Sequence, residues 1–490
     1  MKNKILKGII TRANIFVKNK DKAAIIKADI EKKAQALKNE IVESESDYSE
    51  VIGKIYYVSE NGNDENDGLS EETPIKTLAK ASVLELHPGD AVLFKRGDTF
   101  RGRLDSQKGV IYSAYGEGKK PVLTNSLMNF SDASLWEKTE VENVYKLTIP
   151  LKNDAGIIVF NEGEAWSQKR IKGRPEFPVG GLENLDCDLA LWHDISTPLG
   201  ESGFVYLRSD KGNPADRFSS IEIGVRQNII GAAEDTTFDN LCVKYGSAHG
   251  IGSGTVNGLT VRYCEFGFIG GSWFRTDTLS RYGNAIEIYG GCRNFVCDHN
   301  YIYQIYDAGI TQQLKHAKKD MVMSDIRYSN NLIEDTAYCI EYFLDPAAEE
   351  AFAEGEARPV LYTKNFEVVG NIMRRSGYGF CEQRPDKYSA HIKGWRQNSP
   401  VINHTVQDNI FDTSLDMMLH VGALMPEWMP KMSSNTYVSG TSDKNCLGVI
   451  GGVDADGSNR KEKRANFDED FERVFNDVLG EKNSIFVLEK

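Results

Sequence analysis

Asn300-Tyr301-Ile302, Asn331-Leu332-Ile333, Asn371-Ile372-Met373 and Asn409-Ile410-Phe411 repeat one phrase, an asparagine followed by two large apolar residues. Cys264-Glu265-Phe266 stands in the same place one repeat earlier. A second phrase lies between the copies: a small residue, an aliphatic or aromatic, then one outward residue. It reads Gly250-Ile251-Gly252, Phe268-Ile269-Gly270, Ala285-Ile286-Glu287, Gly309-Ile310-Thr311, Cys339-Ile340-Glu341, Gly379-Phe380-Cys381 and Met418-Leu419-His420. Short apolar runs of this kind are strands. The recurring asparagine marks the turn of a parallel coil, where a side-chain amide can bond the backbone of the next rung. Repeats of about 20 residues or more describe a solenoid. The expected fold is therefore all-β, a right-handed parallel β-helix over residues 221–440.

The spacing of the second phrase widens from 18 residues, Ile251 to Ile269, to 40 residues, Ile340 to Phe380. Early rungs are bare and later ones carry insertions. Insertions on one face of a solenoid build its binding surface, which places the site over residues 283–420.

The rest of the chain divides around this coil. Residues 1–50 form a helical extension, with Ile26, Ile30, Leu37 and Ile41 on one helical face. That face is expected to dock on the body or on a partner subunit, which leaves a homo-oligomer open. Residues 51–129 hold a capping segment and first rungs, with a short helix expected over residues 73–81 and Pro74 at its first position. Residues 130–220 read as an irregular inserted lobe. Residues 441–490 read as a helix, residues 467–479, and a final strand.

Composition narrows the partners. With 58 basic and 71 acidic residues the 490-residue chain has a net charge of −13, which argues against nucleic acid. No apolar stretch is long enough to span a bilayer, so no membrane partner is expected. The lysine-rich start lacks a continuous apolar core, so a cytoplasmic location is expected. The eight cysteines show no metal or disulfide spacing and are expected to be buried free thiols. The stretch Asn61-Gly62-Asn63-Asp64-Glu65-Asn66-Asp67-Gly68 alternates like a calcium loop but lacks a closing bidentate glutamate. Asx turns explain it, and no cofactor or metal is expected, with calcium as the lesser alternative.

The segments Tyr56-Tyr57-Val58-Ser59-Glu60-Asn61-Gly62, Leu86-His87-Pro88-Gly89-Asp90-Ala91-Val92-Leu93-Phe94 and Tyr112-Ser113-Ala114-Tyr115-Gly116 resemble the opening of bacterial β-helix proteins of the pectate-lyase-like superfamily. The resemblance covers residues 54–440. It implies a carbohydrate-active enzyme and does not select among hydrolases, lyases, epimerases and non-catalytic spikes.

Candidate chemistry follows from strand alternation. If Ile286 and Ile340 point inward, Glu287 and Glu341 point outward, with Thr311 between them and His420 further along. At about 4.8 Å per rung, Glu287 and Glu341 are about 9.6 Å apart. If Glu382 also faces outward, it neighbours Glu341 at about 5 Å, the separation of a retaining glycosidase. Asp307 enters the rung between the two glutamates. Crowded carboxyls have divergent pKa values, the condition for an acid beside a base or nucleophile. Asp307, Glu341, Glu287 and Glu382 are thus the catalytic candidates. Trp273, Tyr282, Gln312, Tyr342, Arg384, His391, Trp395 and His420 are candidates to bind substrate. The leading expectation is a glycoside hydrolase acting on an oligosaccharide. The basic stretch Arg374, Arg375, Arg384, Lys387, His391, Lys393 and Arg396 supports the alternative, a lyase or epimerase on a uronic-acid glycan. A non-catalytic glycan-binding coil is the third reading.

Overall fold

The structure is a computed structural model, which describes residues 14–171, 180–275, 280–386, 388–397, 399–423, 425–438, 446–451, 463–466 and 480–487. The expected helix at 467–479 lies outside these. The chain winds as a parallel β-helix, with three strand segments per turn. One full turn runs through Thr260–Arg262, Glu265–Ile269 and Ile286–Tyr289 before Cys292–Asp298 begins the next. Each pairs in parallel with its equivalent a turn later.

The coil is longer than the sequence suggested. Leu104 and Asp105 pair with Ile230 and Gly231, and Ile111 and Tyr112 pair with Thr237 and Phe238. The first rungs, from Ile55 onward, therefore continue directly into the later ones. Ile221–Val225 is no rung; it pairs antiparallel with Ala155–Phe160 of the lobe. The lobe is itself ordered. A five-stranded sheet and a core including Trp136, Tyr145, Leu147, Phe160, Leu191 and Leu207 hold it together.

Stacking fills the coil. Ile251, Ile286, Ile310, Ile340, Ile392 and Leu419 form one interior column. Phe411, Tyr437 and Phe486 stack at 4.7 and 4.8 Å, the spacing of the strands that carry them. The asparagines form the expected ladder. Cys264 N donates to Asn300 Oδ1 at 3.0 Å, Asn300 N to Asn331 at 2.9 Å, Asn331 N to Asn371 at 3.0 Å and Asn371 N to Asn409 at 2.9 Å. A further step, Asn409 N to Asn435 at 2.9 Å, extends it. The residue before each ladder asparagine from Asn300 to Asn435 has positive φ, 51° at His299 and 54° at Asn330, which turns the chain by one bulge per rung.

The helix Lys20–Glu43 docks on the body: Ala34 and Ile41 pack on Tyr301, Leu332 and Ile372, and Ile30 packs near Val438 and Val487. The capping helix is shorter than expected, Leu78–Ser82, with Thr77 as its N-cap. Ile75 cannot join it, because its backbone bonds Tyr57 and Ser59. The acidic loop folds through Asx turns, Asn63 Oδ1 accepting from Glu65 N and Asp67 Oδ1 from Leu69 N, and Asp64 ties it to the capping helix by accepting from Lys76 N, Thr77 N and the Thr77 hydroxyl. Seven described cysteines are free, six of them buried. Among the described residues no helix is long and apolar enough to cross a membrane.

Candidate active site

The column predicted from alternation exists. Parallel register places Gly252, Glu287, Thr311, Glu341, Lys393 and His420 on successive rungs of one outward face. Two of the phrases used to find it belong elsewhere. Phe268-Ile269-Gly270 lies on another face, with Ile269 opposite Gly246 and Ile305. Ile251 and Ile286 are therefore neighbours, and the first long insertion opens one turn earlier, after Gly270.

Gly379-Phe380-Cys381 is no rung either. Gly379–Gln383 is a 3-10 turn, and Phe380 is buried against Ile157, Val159, Phe268 and Tyr306 at the lobe contact. Its ring fills the seam between lobe and coil rather than the coil interior. Glu382 is consequently outside the column; it is exposed and accepts a hydrogen bond from Gly379 N at 2.9 Å. The residue beside Glu341 is Lys393, with Nζ 2.9 Å from its carboxylate.

Three carboxyls remain. Glu341 is buried, held by Lys393, whose ammonium also lies 3.7 Å over the Tyr338 ring. Burial opposes the charge of Lys393, but Glu341 overrides it and keeps the ammonium protonated beyond its ordinary range. Asp307 sits where the strand bulges before Ala308, anchored by its N–H to Gly283 O at 3.1 Å. Its Oδ1 accepts from Arg384 Nη1 at 2.8 Å. Burial pushes the Asp307 carboxyl above its usual range; Arg384 pulls it down and Glu341 pushes it up, and the net shift is upward. Glu287 accepts from Asn284 Nδ2 and from Gln313 Nε2 at 3.2 Å, and lies 3.2 Å from His249 Nδ1. Between the two glutamates, the Thr311 hydroxyl is fully buried and has no hydrogen-bond partner among the described residues.

The expected binding residues divide. Tyr282 reaches the site through His249, their ring centroids 5.1 Å apart and His249 facing Glu287. Arg384 reaches it through Asp307, and His420 is half-buried in the column beside Lys393. Trp273 lies on the insertion, its backbone N–H on Asp154 at 2.6 Å. Gln312 and Tyr342 are corrected: they alternate inward, Gln312 accepting from the Tyr328 hydroxyl and Tyr342 packing on Phe366. His391 is also interior, bonded to the Ser376 hydroxyl at 2.6 Å, and burial lowers its pKa to about 3. The side chain of Trp395 lies outside the described residues. The basic stretch is not a free cationic surface. Arg374 pairs with Glu31 and Asp412, Arg375 with Asp335, Arg384 with Asp307 and Lys393 with Glu341. Lys387 and the side chain of Arg396 lie outside the described residues. Among the described residues no group of His, Cys, Asp or Glu is arranged to hold a metal ion.

Sequence reasoning missed the lobe's part. Gln383 on the turn accepts from Lys169 N at 3.1 Å and donates to Ser167 O at 2.8 Å. Asp154, which holds Trp273, is in turn bonded by the buried Lys169. The lobe thus fixes both insertions that flank Asp307.

No family model matches the chain. A lacto-N-biosidase of Bifidobacterium longum subsp. longum is 34% identical over 211 residues, 39% of this chain. Among solved structures, XylC in complex with xylose is similar over 88% of this chain and 82% of its own, with 11% identity and a TM-score of 0.46. A GH136 lacto-N-biosidase from Eubacterium ramulus is similar over 82% of this chain and 67% of its own, with 12% identity and a TM-score of 0.35. The chain spans only 12% of the length of the Bifidobacterium relative.

Proposed function

We propose that this protein is a glycoside hydrolase acting on an oligosaccharide, with Asp307 as proton donor and Glu341 as the charged partner. The observation that carries the reading is the contrast between two neighbouring carboxyls. Asp307 is pushed upward by burial and by Glu341, so it holds a proton to higher pH. Glu341 instead forms an ion pair with the Lys393 ammonium at 2.9 Å. Such a divided pair is what glycosidic cleavage requires. Asp307 gives its proton to the leaving oxygen as the bond to the anomeric carbon breaks; a water oxygen then bonds that carbon, and the proton the water loses restores the acid. Glu341 offsets the positive charge developing on the sugar ring. The Thr311 hydroxyl, sealed from solvent and without a partner among the described residues, is placed to hold a buried water between the rungs of Glu287 and Glu341. This chemistry needs no resident metal or cofactor. The sequence similarity to a lacto-N-biosidase supports a carbohydrate substrate.

Aryl glycosides with good and poor leaving groups test the assignment. Asp307→Asn should lose about 10²–10⁴-fold in kcat on a poor leaving group and much less on one that needs no proton. Equal losses on both would remove Asp307 as the acid, and full activity of Glu341→Gln would remove Glu341. The lyase alternative is weaker, because the cations it would need already face carboxylates. A product absorbing in the near ultraviolet would reinstate it.

A further inference from the structure

We infer that a second subsite, centred on Arg226 and continuous with the carboxyl column, receives an anionic group carried by the sugar substrate, a ring carboxylate or a sulfate ester. The inference rests on the carbohydrate reading above and adds the charge of the substrate. Arg226 follows the last lobe strand, and its backbone N–H is fixed to Asp154 O at 2.8 Å. Its guanidinium lies 5.3 Å from the Tyr282 ring centroid and 5.8 Å from that of Phe274. Nε donates to the Tyr282 hydroxyl at 3.1 Å. The side chain is half-buried and held on three sides.

Its remaining donors are what mark the place as a site. A guanidinium carries five N–H groups, and here one of them has an acceptor among the described residues. Arg226 also has no carboxylate partner there, in a chain of net charge −13 where Arg374, Arg375 and Arg384 near the column each have one. Stacking on two rings orients the terminal nitrogens as a fork, the geometry that binds planar oxyanions. Fixing the fork beforehand removes part of the entropy cost of binding. The surroundings suit a sugar. Phe274 is 42% exposed and leans on Tyr282 at 4.8 Å, a flat apolar wall for a pyranose face. Tyr282 meets His249, and His249 meets Glu287 of the column. An acid group on Arg226 and a scissile bond near Asp307 then belong to one substrate lying along the coil axis.

The test uses the full chain and reads binding apart from turnover. Titration calorimetry with glucuronic acid, glucose 6-sulfate and glucose should show preference for one or both anions over the neutral sugar. Arg226→Gln should weaken the preferred anion about tenfold to a hundredfold, the range of a charge-assisted hydrogen bond, and leave glucose within about twofold. Arg226→Lys keeps the charge without the fork and should recover part of the loss. Preference for the uronate alone assigns a carboxylate; preference for the sulfate alone assigns a sulfate ester. Equal binding of all three sugars by the wild type overturns the inference, as does an anion preference that survives in Arg226→Gln with unchanged thermal stability. The two readings fail separately. Anion preference without hydrolysis refutes the glycosidase assignment alone, and hydrolysis of neutral substrates without charge preference refutes this one alone.

Discussion

Asn371 is the rung of the ladder whose loss can be worked through atom by atom. Its Oδ1 accepts from Asn331 N at 3.0 Å and from Asn331 Nδ2 at 2.9 Å. Its Nδ2 donates to Tyr328 O at 2.9 Å and to Asn409 Oδ1 at 3.0 Å. In Asn371→Ala, Asn331 Nδ2 keeps Cys297 O, and Asn409 Oδ1 keeps the backbone N–H of residue 371. The Asn331 N–H loses its acceptor and Tyr328 O loses its side-chain donor. Both are sealed from water, since Asn331, Tyr328 and Asn371 are fully buried. At about 1–3 kcal/mol per buried group left without a partner, the substitution should cost about 2–6 kcal/mol. Equilibrium urea unfolding measures this, followed by tryptophan fluorescence and far-ultraviolet circular dichroism so that coincident transitions justify a single free energy. Asn39→Ala, on the exposed face of the N-terminal helix, is the control and should change stability by no more than about 0.5 kcal/mol. A loss at Asn371 below about 1 kcal/mol would refute the claim that the ladder is a main stabiliser of the turns.

Three further outcomes are expected. Arg384→Met removes the cation that pulls Asp307 down; the acid then keeps its proton longer, and the basic limb of kcat/KM should move to higher pH, whereas an unmoved limb would mean that another group titrates there. Thr311→Val replaces a buried hydroxyl that has no partner among the described residues with a methyl, so urea unfolding should show unchanged or slightly higher stability while kcat/KM falls about tenfold or more; full activity would show that the hydroxyl holds no water the reaction uses. Glu481, buried under Asn435, Tyr437 and Ser484, has its pKa raised from 4.5 to about 7 chiefly by burial. The folded protein holds this proton more tightly than the unfolded chain, so the contribution is fully present below about pH 4.5 and is lost as pH rises through about 7, amounting to at most about 3 kcal/mol. Glu481→Gln should therefore raise the melting temperature at pH 8 relative to wild type and leave it little changed at pH 4; the same difference at both would refute the assignment.

The coil and its outward column were legible because both rest on local rules. Alternation in a strand decides which face a side chain takes, so Ile286 and Ile340 pointing inward were enough to place Glu287, Thr311 and Glu341 in line. The asparagine phrase was legible because each amide bonds the backbone of the adjacent rung at the same turn. Gln312 and Tyr342 were expected to bind substrate, but they follow Thr311 and Glu341 by one residue, and the same alternation turns them inward. What failed was the long segment between Ile340 and Ile392. Phe380 carries a strand-like phrase, and nothing local shows that its ring fills the seam between lobe and coil instead.

The sequence by itself determined the solenoid, the turns and the alignment of acids along one face, since these depend on contacts between rungs that repeat one pattern. Only the tertiary structure decided that Lys393, not Glu382, stands beside Glu341, that Arg384 faces Asp307, and that Arg226 is held open beside Tyr282. Those pairings join the lobe, two insertions and the coil across long stretches of chain, and no periodicity links residues whose meeting is set by how loops pack.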